Sequence, residues 1–162
     1  MIRINRETDY GIGILTLLAN DEHARVNAAT MAERRGLPQP MVSKILKHLA
    51  RAGILVSYRG AKGGYGLARS PREITVAEII AALEGPISLT ECVEEGVEAC
   101  QYSSHCTVSG NWNRINRVVQ EALARITLAD MCTPEPVGPG DDNDGRQEFP
   151  MEFAGVRYVS DL

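Results

Sequence analysis

The sequence predicts a mainly α-helical fold with a small β wing: a winged helix-turn-helix followed by a long dimerisation helix. Three features point there. Residues 39–51 place Val42, Ile45, Leu46 and Leu49 at i, i+3, i+4, i+7, opposite Ser43, Lys44, Lys47 and Arg51, which is one buried and one polar helix face. The run Arg59-Gly60-Ala61-Lys62-Gly63-Gly64 separates two short strand candidates, as a basic hairpin tip does. The net charge of −4 also conceals a split. Residues 1–72 hold twelve Lys/Arg against five Asp/Glu, whereas residues 73–162 hold five against sixteen.

The elements follow in order. Residues 8–20 form an apolar helix with Ile14, Leu15, Leu17 and Leu18 inward; Gly11 and Gly13 lower its propensity but permit close packing. Asn27 is placed to cap a second helix over 28–35. Gly36-Leu37-Pro38 ends it, since glycine accepts the left-handed cap and proline blocks continuation. The third helix spans 39–52 and stops at Gly53. Strands are expected at 54–58 and 65–68. Thr75 caps a helix over 76–84. A cysteine-bearing loop fills 85–109, and a long helix covers 110–125. Its apolar residues Trp112, Ile115, Val118, Val119, Ala122 and Ile126 make a stripe wider than a one-sided contact needs. One further turn is expected at 127–131. Residues 133–148 are rich in Pro, Gly and Asp and predict disorder.

Composition narrows the class. With 162 residues, 44% of them hydrophobic, the chain has room for one domain, or one plus an appendage, with a real core. No apolar run approaches the roughly 20 residues of a membrane span, and MIRINRETDY lacks the apolar stretch of a secretion signal. A cytoplasmic protein is expected. Its four cysteines then read as metal ligands or redox thiols rather than disulfides. Three scattered histidines, His23, His48 and His105, form no nucleophile–base constellation. No Walker pattern accompanies the glycines. Neither an enzyme nor a small-molecule substrate is expected.

A basic half joined to an acidic one is the footprint of a nucleic-acid module with a separate sensor or partner region. A recognition helix must bury one face and offer the other to the duplex. Ser43 and Lys44, near the start of the third helix, are expected at base edges. Lys47 and Arg51 suit phosphates, and Gln39 suits either. Arg59 in the wing fits a narrow, electronegative minor groove, and Lys62 at its tip is a further DNA-binding candidate. The alternative, a solvated helix face with a plain surface turn, weakens when both elements occur together inside a basic segment.

Cys92, Cys100 and Cys106 are spaced Cys-x7-Cys-x5-Cys. Structural zinc sites usually show paired knuckles, absent here. Loose spacing in a loop suits an iron–sulfur cluster, while zinc, redox thiols and unligated cysteines stay open. The helix after Cys106 favours an anionic cluster at its N-terminus; Glu91, Glu94, Glu95 and Glu98 oppose it. Cys132 reads as a non-ligand. His105 adjoins Cys106, and adjacent residues rarely reach one metal together. Ser109 and Asp9 are the other candidates for a fourth ligand.

Together these residues resemble the cluster-binding winged-helix repressors of the IscR and NsrR type, over about residues 1–131. The resemblance is carried by Leu49-x3-Gly53-Ile54-Leu55, Arg59-Gly60-Ala61-Lys62-Gly63-Gly64-Tyr65, Ile74-Thr75-Val76-x-Glu78-Ile79-Ile80 and the three cysteines. The runs EGPISLTEC (84–92), NWNRIN (111–116) and ITLADM (126–131) look most like the branch of SUF-system iron–sulfur assembly regulators. The resemblance implies a homodimer on a double-stranded DNA operator, with one cluster per subunit, 2Fe–2S or 4Fe–4S, on Cys92, Cys100 and Cys106. In the IscR type a histidine three residues after the last cysteine completes the site; here that position is Ser109. In the NsrR type an aspartate of the partner's first helix, within a Thr-Asp pair, does so; Thr8-Asp9 matches that pair.

The expected organisation is a DNA-binding domain over 1–84, a cluster-binding loop over 85–109, a dimerisation helix with its following turn over 110–131, and a largely disordered acidic tail over 132–162. The expected function is repression of iron–sulfur assembly genes under control of the cluster. Its alternatives are a nitric-oxide or redox sensor on the same fold and, from another class, a small iron–sulfur electron carrier or cluster-transfer protein.

Overall fold

A computed structural model of the chain describes residues 3–20, 25–60, 63–93 and 106–133. Helix α1 (Arg6–Ala19) starts two residues before its apolar run, because the Asn5 side chain accepts from the Glu7 N–H at 2.6 Å. An N-cap of this kind satisfies a donor that helix geometry leaves open. Thr8, Gly11, Ile14, Leu15 and Leu18 face inward. Leu17, expected among them, is only half-buried: at 100° per residue it falls off the edge of that stripe.

Helix α2 (Ala28–Arg35) begins on Asn27, whose side chain accepts from the Thr30 N–H at 2.8 Å, and ends on Gly36 at φ 63°. Helix α3 (Gln39–Arg51) buries Val42, Ile45, Leu46 and Leu49 as its spacing predicts. Strands β1 (Leu55–Tyr58) and β2 (Gly64–Leu67) pair antiparallel, Leu55 opposite Leu67 and Tyr58 opposite Gly64. Helix α4 (Val76–Glu84) opens on a capping box in which Thr75 and Glu78 each bind the other's backbone N–H. Helix α5 (Ser109–Arg125) and helix α6 (Leu128–Cys132) complete the described chain. The result is a mostly helical protein with a two-stranded antiparallel wing, the predicted class.

The core joins all of this. Ile14, Leu15, Leu18, Met31, Val42, Ile45, Leu46, Leu49, Ile54, Ile74 and Ile79 are each at most 1% exposed. Burying one such side chain contributes about 1.5–3 kcal/mol. Gly11 sets the spacing of three helices: a Cβ there would run into Leu83 of α4 and lie 3.5 Å from Ile45 of α3. After α5 the chain turns back. The Val76 N–H donates to the Ile126 carbonyl and the Leu128 N–H to the Ile74 carbonyl, each at 2.8 Å. Leu128, fully buried, thereby joins the core of α1 to α4. The expected disorder of the tail concerns residues that, from 134 onward, lie outside those described.

Candidate nucleic-acid interface and thiol site

The outer face of α3 forms a shallow depression of about 450 Å³ lined by Pro40, Ser43, Lys44, Lys47, His48 and Arg51. Gln39, Lys44, Lys47 and Arg51 are exposed and Ser43 half-buried. Five of the seven residues expected to meet DNA therefore share one helix face. Lys44 also makes a contact the sequence did not announce: its Nζ lies 2.8 Å from the Glu7 carboxylate of α1.

Arg59 is exposed where β1 gives way to the wing tip. The Gly63 N–H donates to the Gly60 carbonyl at 2.9 Å, and Gly60 has φ 103°, a value that favours glycine. Lys62 lies outside the described residues. The wing is braced from a third side. Val26 and Tyr65 exchange both backbone hydrogen bonds, at 3.1 and 2.9 Å. A Cβ at Gly64 would stand 2.8 Å from the Val26 backbone, so this approach requires glycine. The brace brings Arg25 over the Tyr58 ring, its guanidinium carbon 3.9 Å from the centroid. Such stacking fixes a cation in place. Arg25 thus joins Arg59 at the wing. Sequence reasoning missed it, because the one signal was a β-branched residue following a lone arginine.

The cysteine segment is fastened to α5 near both of its ends. Asn116, 4% exposed on α5, accepts from the Leu89 N–H and donates to the Ile87 carbonyl, each at 3.0 Å. Gln120 donates to the same carbonyl at 2.9 Å. The 3-10 turn Glu91–Val93, which carries Cys92, packs against α5. At the other end Cys106, a half-buried free thiol, stands three residues before α5, and the Ser109 hydroxyl donates to its carbonyl at 3.4 Å. Among the described residues, no side chain caps the start of α5. The Cys92 side chain, Cys100 and His105 lie outside the described residues. Among those described, no group of three or more His, Cys, Asp or Glu gathers around a metal-sized space.

Asp9 is exposed on the first turn of α1, immediately after Thr8, which is fully buried. The buried threonine fixes the helix's rotation and so turns Asp9 outward. Cys132 packs against the core, and burial pushes its thiol pKa up, as expected of a packing thiol rather than a reactive one. The apolar stripe of α5 is open to solvent. Val108 is 47% exposed, Trp112 37%, Ile115 44%, Val118 46% and Ile126 41%. Single exposed apolar residues are ordinary, but a contiguous row marks an interaction face.

Comparison with known proteins gives a consistent picture. The profile of the Rrf2 family, described as iron-dependent transcriptional regulators, matches residues 4–134. A Synechocystis sp. protein named as an HTH-type transcriptional regulator is 33% identical over 131 residues, 80% of this chain and 87% of its own. Two solved structures share the fold. CymR, titled the global cysteine regulator of B. subtilis, superposes with a TM-score of 0.63 at 33% identity, over 82% of this chain and 97% of its own. T. potens IscR does so with a TM-score of 0.59 at 30% identity, over 80% and 85%.

Proposed function

This chain belongs to the Rrf2 family of transcriptional regulators, and we propose that it acts as a homodimeric repressor of iron–sulfur assembly genes under control of an iron–sulfur cluster. Family and neighbours are regulators, not enzymes. One observation carries the sensor half of this reading: both ends of the cysteine segment are held on α5, through Leu89 and Asn116 at one end and Cys106 at the other. That arrangement ties the turn that carries Cys92 and the residues that carry Cys106 to the same helix, across thirteen intervening residues.

The donor chemistry suits the group. Cys106 is free and half-buried, three residues before the start of α5, where the first N–H groups of a helix are open to an anionic group. Thiolates are soft ligands that select iron–sulfur clusters, zinc or Cu(I). Cys92, Cys100 and Cys106 are the proposed ligands, with Asp9 of the second subunit as the fourth. Held by these cysteines and by Asp9 of the partner subunit, such a cluster would supply redox- and oxidant-sensitive chemistry. The chain's own residues do the rest. Asn116 and Gln120 hold the segment before Cys92, Thr8 aims Asp9, and the α5 stripe offers the face for a second copy.

On the DNA side Ser43 and Lys44 are assigned to base edges. Lys47 and Arg51 are assigned to the backbone, Gln39 to a base or the backbone, and Arg59, Lys62 and Arg25 to the DNA beside the wing. Anaerobic reconstitution with iron and sulfide, followed by absorbance, iron and sulfide assay, and operator binding of loaded and stripped protein, tests the reading. A coloured protein with stoichiometric iron and sulfide, whose DNA affinity changes on stripping, is expected. A colourless protein holding only zinc would overturn it.

A further inference from the structure

We infer that Glu7 is a counter-ion competing with DNA for Lys44, and that it thereby sets how tightly the recognition helix holds duplex of any sequence. The inference rests on the DNA-reading role proposed for α3. Its starting point is the contact between α1 and α3, across 37 positions of sequence, that brings Lys44 Nζ to 2.8 Å from Glu7 Oε1. Among the described residues, Lys44 is the one cation of the proposed DNA surface held in an ion pair; Lys47, Arg51, Arg59 and Arg25 have none.

The pair is built into the framework rather than left to chance. Glu7 sits in the capped first turn of α1, its N–H bound by Asn5. One turn later Gly11 lets α1 approach Ile45, the residue next to Lys44. The crossing of the two helices therefore holds both partners in register. Their exposure fixes the strength. The Lys44 side chain is 55% exposed and that of Glu7 31%, so the pair is partly hydrated and screened. Pairs of this kind are weak. That suits the role, since the bond is strong enough to count and weak enough for DNA to break.

For Lys44 to donate to a phosphate or a base oxygen, it must leave the carboxylate or share its charge with it. A phosphate, available on any sequence, then gains less from Lys44 than a free lysine would give. Glu7 lowers sequence-independent affinity at the residue expected to read bases.

The test is a double-mutant cycle in the full-length protein, with Glu7→Gln, Lys44→Ala and the pair together. Binding is read by fluorescence anisotropy on a mixed-sequence duplex and on an operator selected from a random pool. Glu7→Gln should bind the mixed-sequence duplex about two- to fivefold more tightly, in line with the strength of such pairs. Lys44→Ala should bind more weakly. The double variant should match Lys44→Ala, because the carboxylate acts only through the lysine. Glutamine preserves size and helix propensity, and circular dichroism confirms that each variant folds. An unchanged Glu7→Gln beside a weakened Lys44→Ala would overturn the inference alone. So would a gain that persists without Lys44, which would mark a general effect of charge. Lys44→Ala binding both duplexes like wild type would remove the DNA role of Lys44 and the inference with it.

Discussion

Arg25 stacks on the Tyr58 ring, and Arg59 follows Tyr58 along the chain. If both reach phosphate at the wing, each should count once in the salt dependence of binding. Arg25→Ala and Arg59→Ala should each weaken DNA binding and reduce the slope of log affinity against log salt by about one. Tyr58→Leu keeps both charges but removes the stack; it should lower affinity modestly with the slope preserved. Salt titrations of the four proteins distinguish a DNA contact from a surface arginine, which would leave the slope unmoved. Asp9 poses the other question at this scale. Its side chain is exposed and, among the described residues, forms no ion pair. Asp9→Ala should lower cluster yield and stability on reconstitution while thermal unfolding of the stripped protein stays the same. Unchanged yield and spectrum would return the fourth position to Ser109 or an external ligand.

Between elements, two polar devices hold the molecule's joints. Asn116 bridges α5 to the segment before Cys92 with two hydrogen bonds of 3.0 Å from a buried amide. Asn116→Ala leaves the part-buried Leu89 N–H and Ile87 carbonyl without it, a loss of about 1–3 kcal/mol measurable by chemical denaturation. The same variant should bind iron less well, since it frees one end of the cysteine segment. At α4 the Glu78 carboxylate accepts from the Thr75 backbone N–H at 2.9 Å and meets Arg69 at 3.0 Å. The backbone hydrogen bond, with Arg69 and the Thr75 hydroxyl behind it, holds its pKa below the ordinary value. A carboxyl that is a stronger acid when folded stabilises fully above its unfolded pKa of about 4.3. That contribution is lost as pH falls through the lower folded value. Glu78→Gln should therefore be less stable at neutral pH, and the gap should close on acidification below about pH 4. Melting temperatures across that range check the sign. Much of this layer was legible beforehand: Asn27, Gly36 and Thr75 announce helix ends through local chemistry, and the α3 pattern announces its buried face. The return of α6 into the core was not. Leu128 lies in a run of five residues too short to show periodicity, and its burial depends on a strand-like pairing with Ile74 far away in sequence. Arg25 and the Lys44–Glu7 pair stayed hidden for the same reason, because nothing local encodes a contact between distant elements.

At the scale of the whole molecule, the open apolar stripe of α5 and the division of charge belong to one design. The basic segment carries α3 and the wing; the acidic remainder carries α5 and the thiols. A single copy presents one recognition helix and leaves Val108, Trp112, Ile115, Val118 and Ile126 in water. Pairing two copies along that stripe would cover it and present two recognition helices to a divided site, as helix-turn-helix dimers require. Ile115 lies within the stripe and, at 44% exposed, outside the core. Ile115→Glu should therefore spare the fold of the subunit while placing two like charges against each other across the interface. Light scattering should then report a single chain where wild type reports two. Loss of the linked second contact should weaken operator binding by about 10²- to 10⁴-fold, with a much smaller loss on short duplexes that carry one half-site. A variant that stays dimeric and holds its operator as wild type does would place the interface elsewhere, and would remove the second subunit's Asp9 from reach of the thiols.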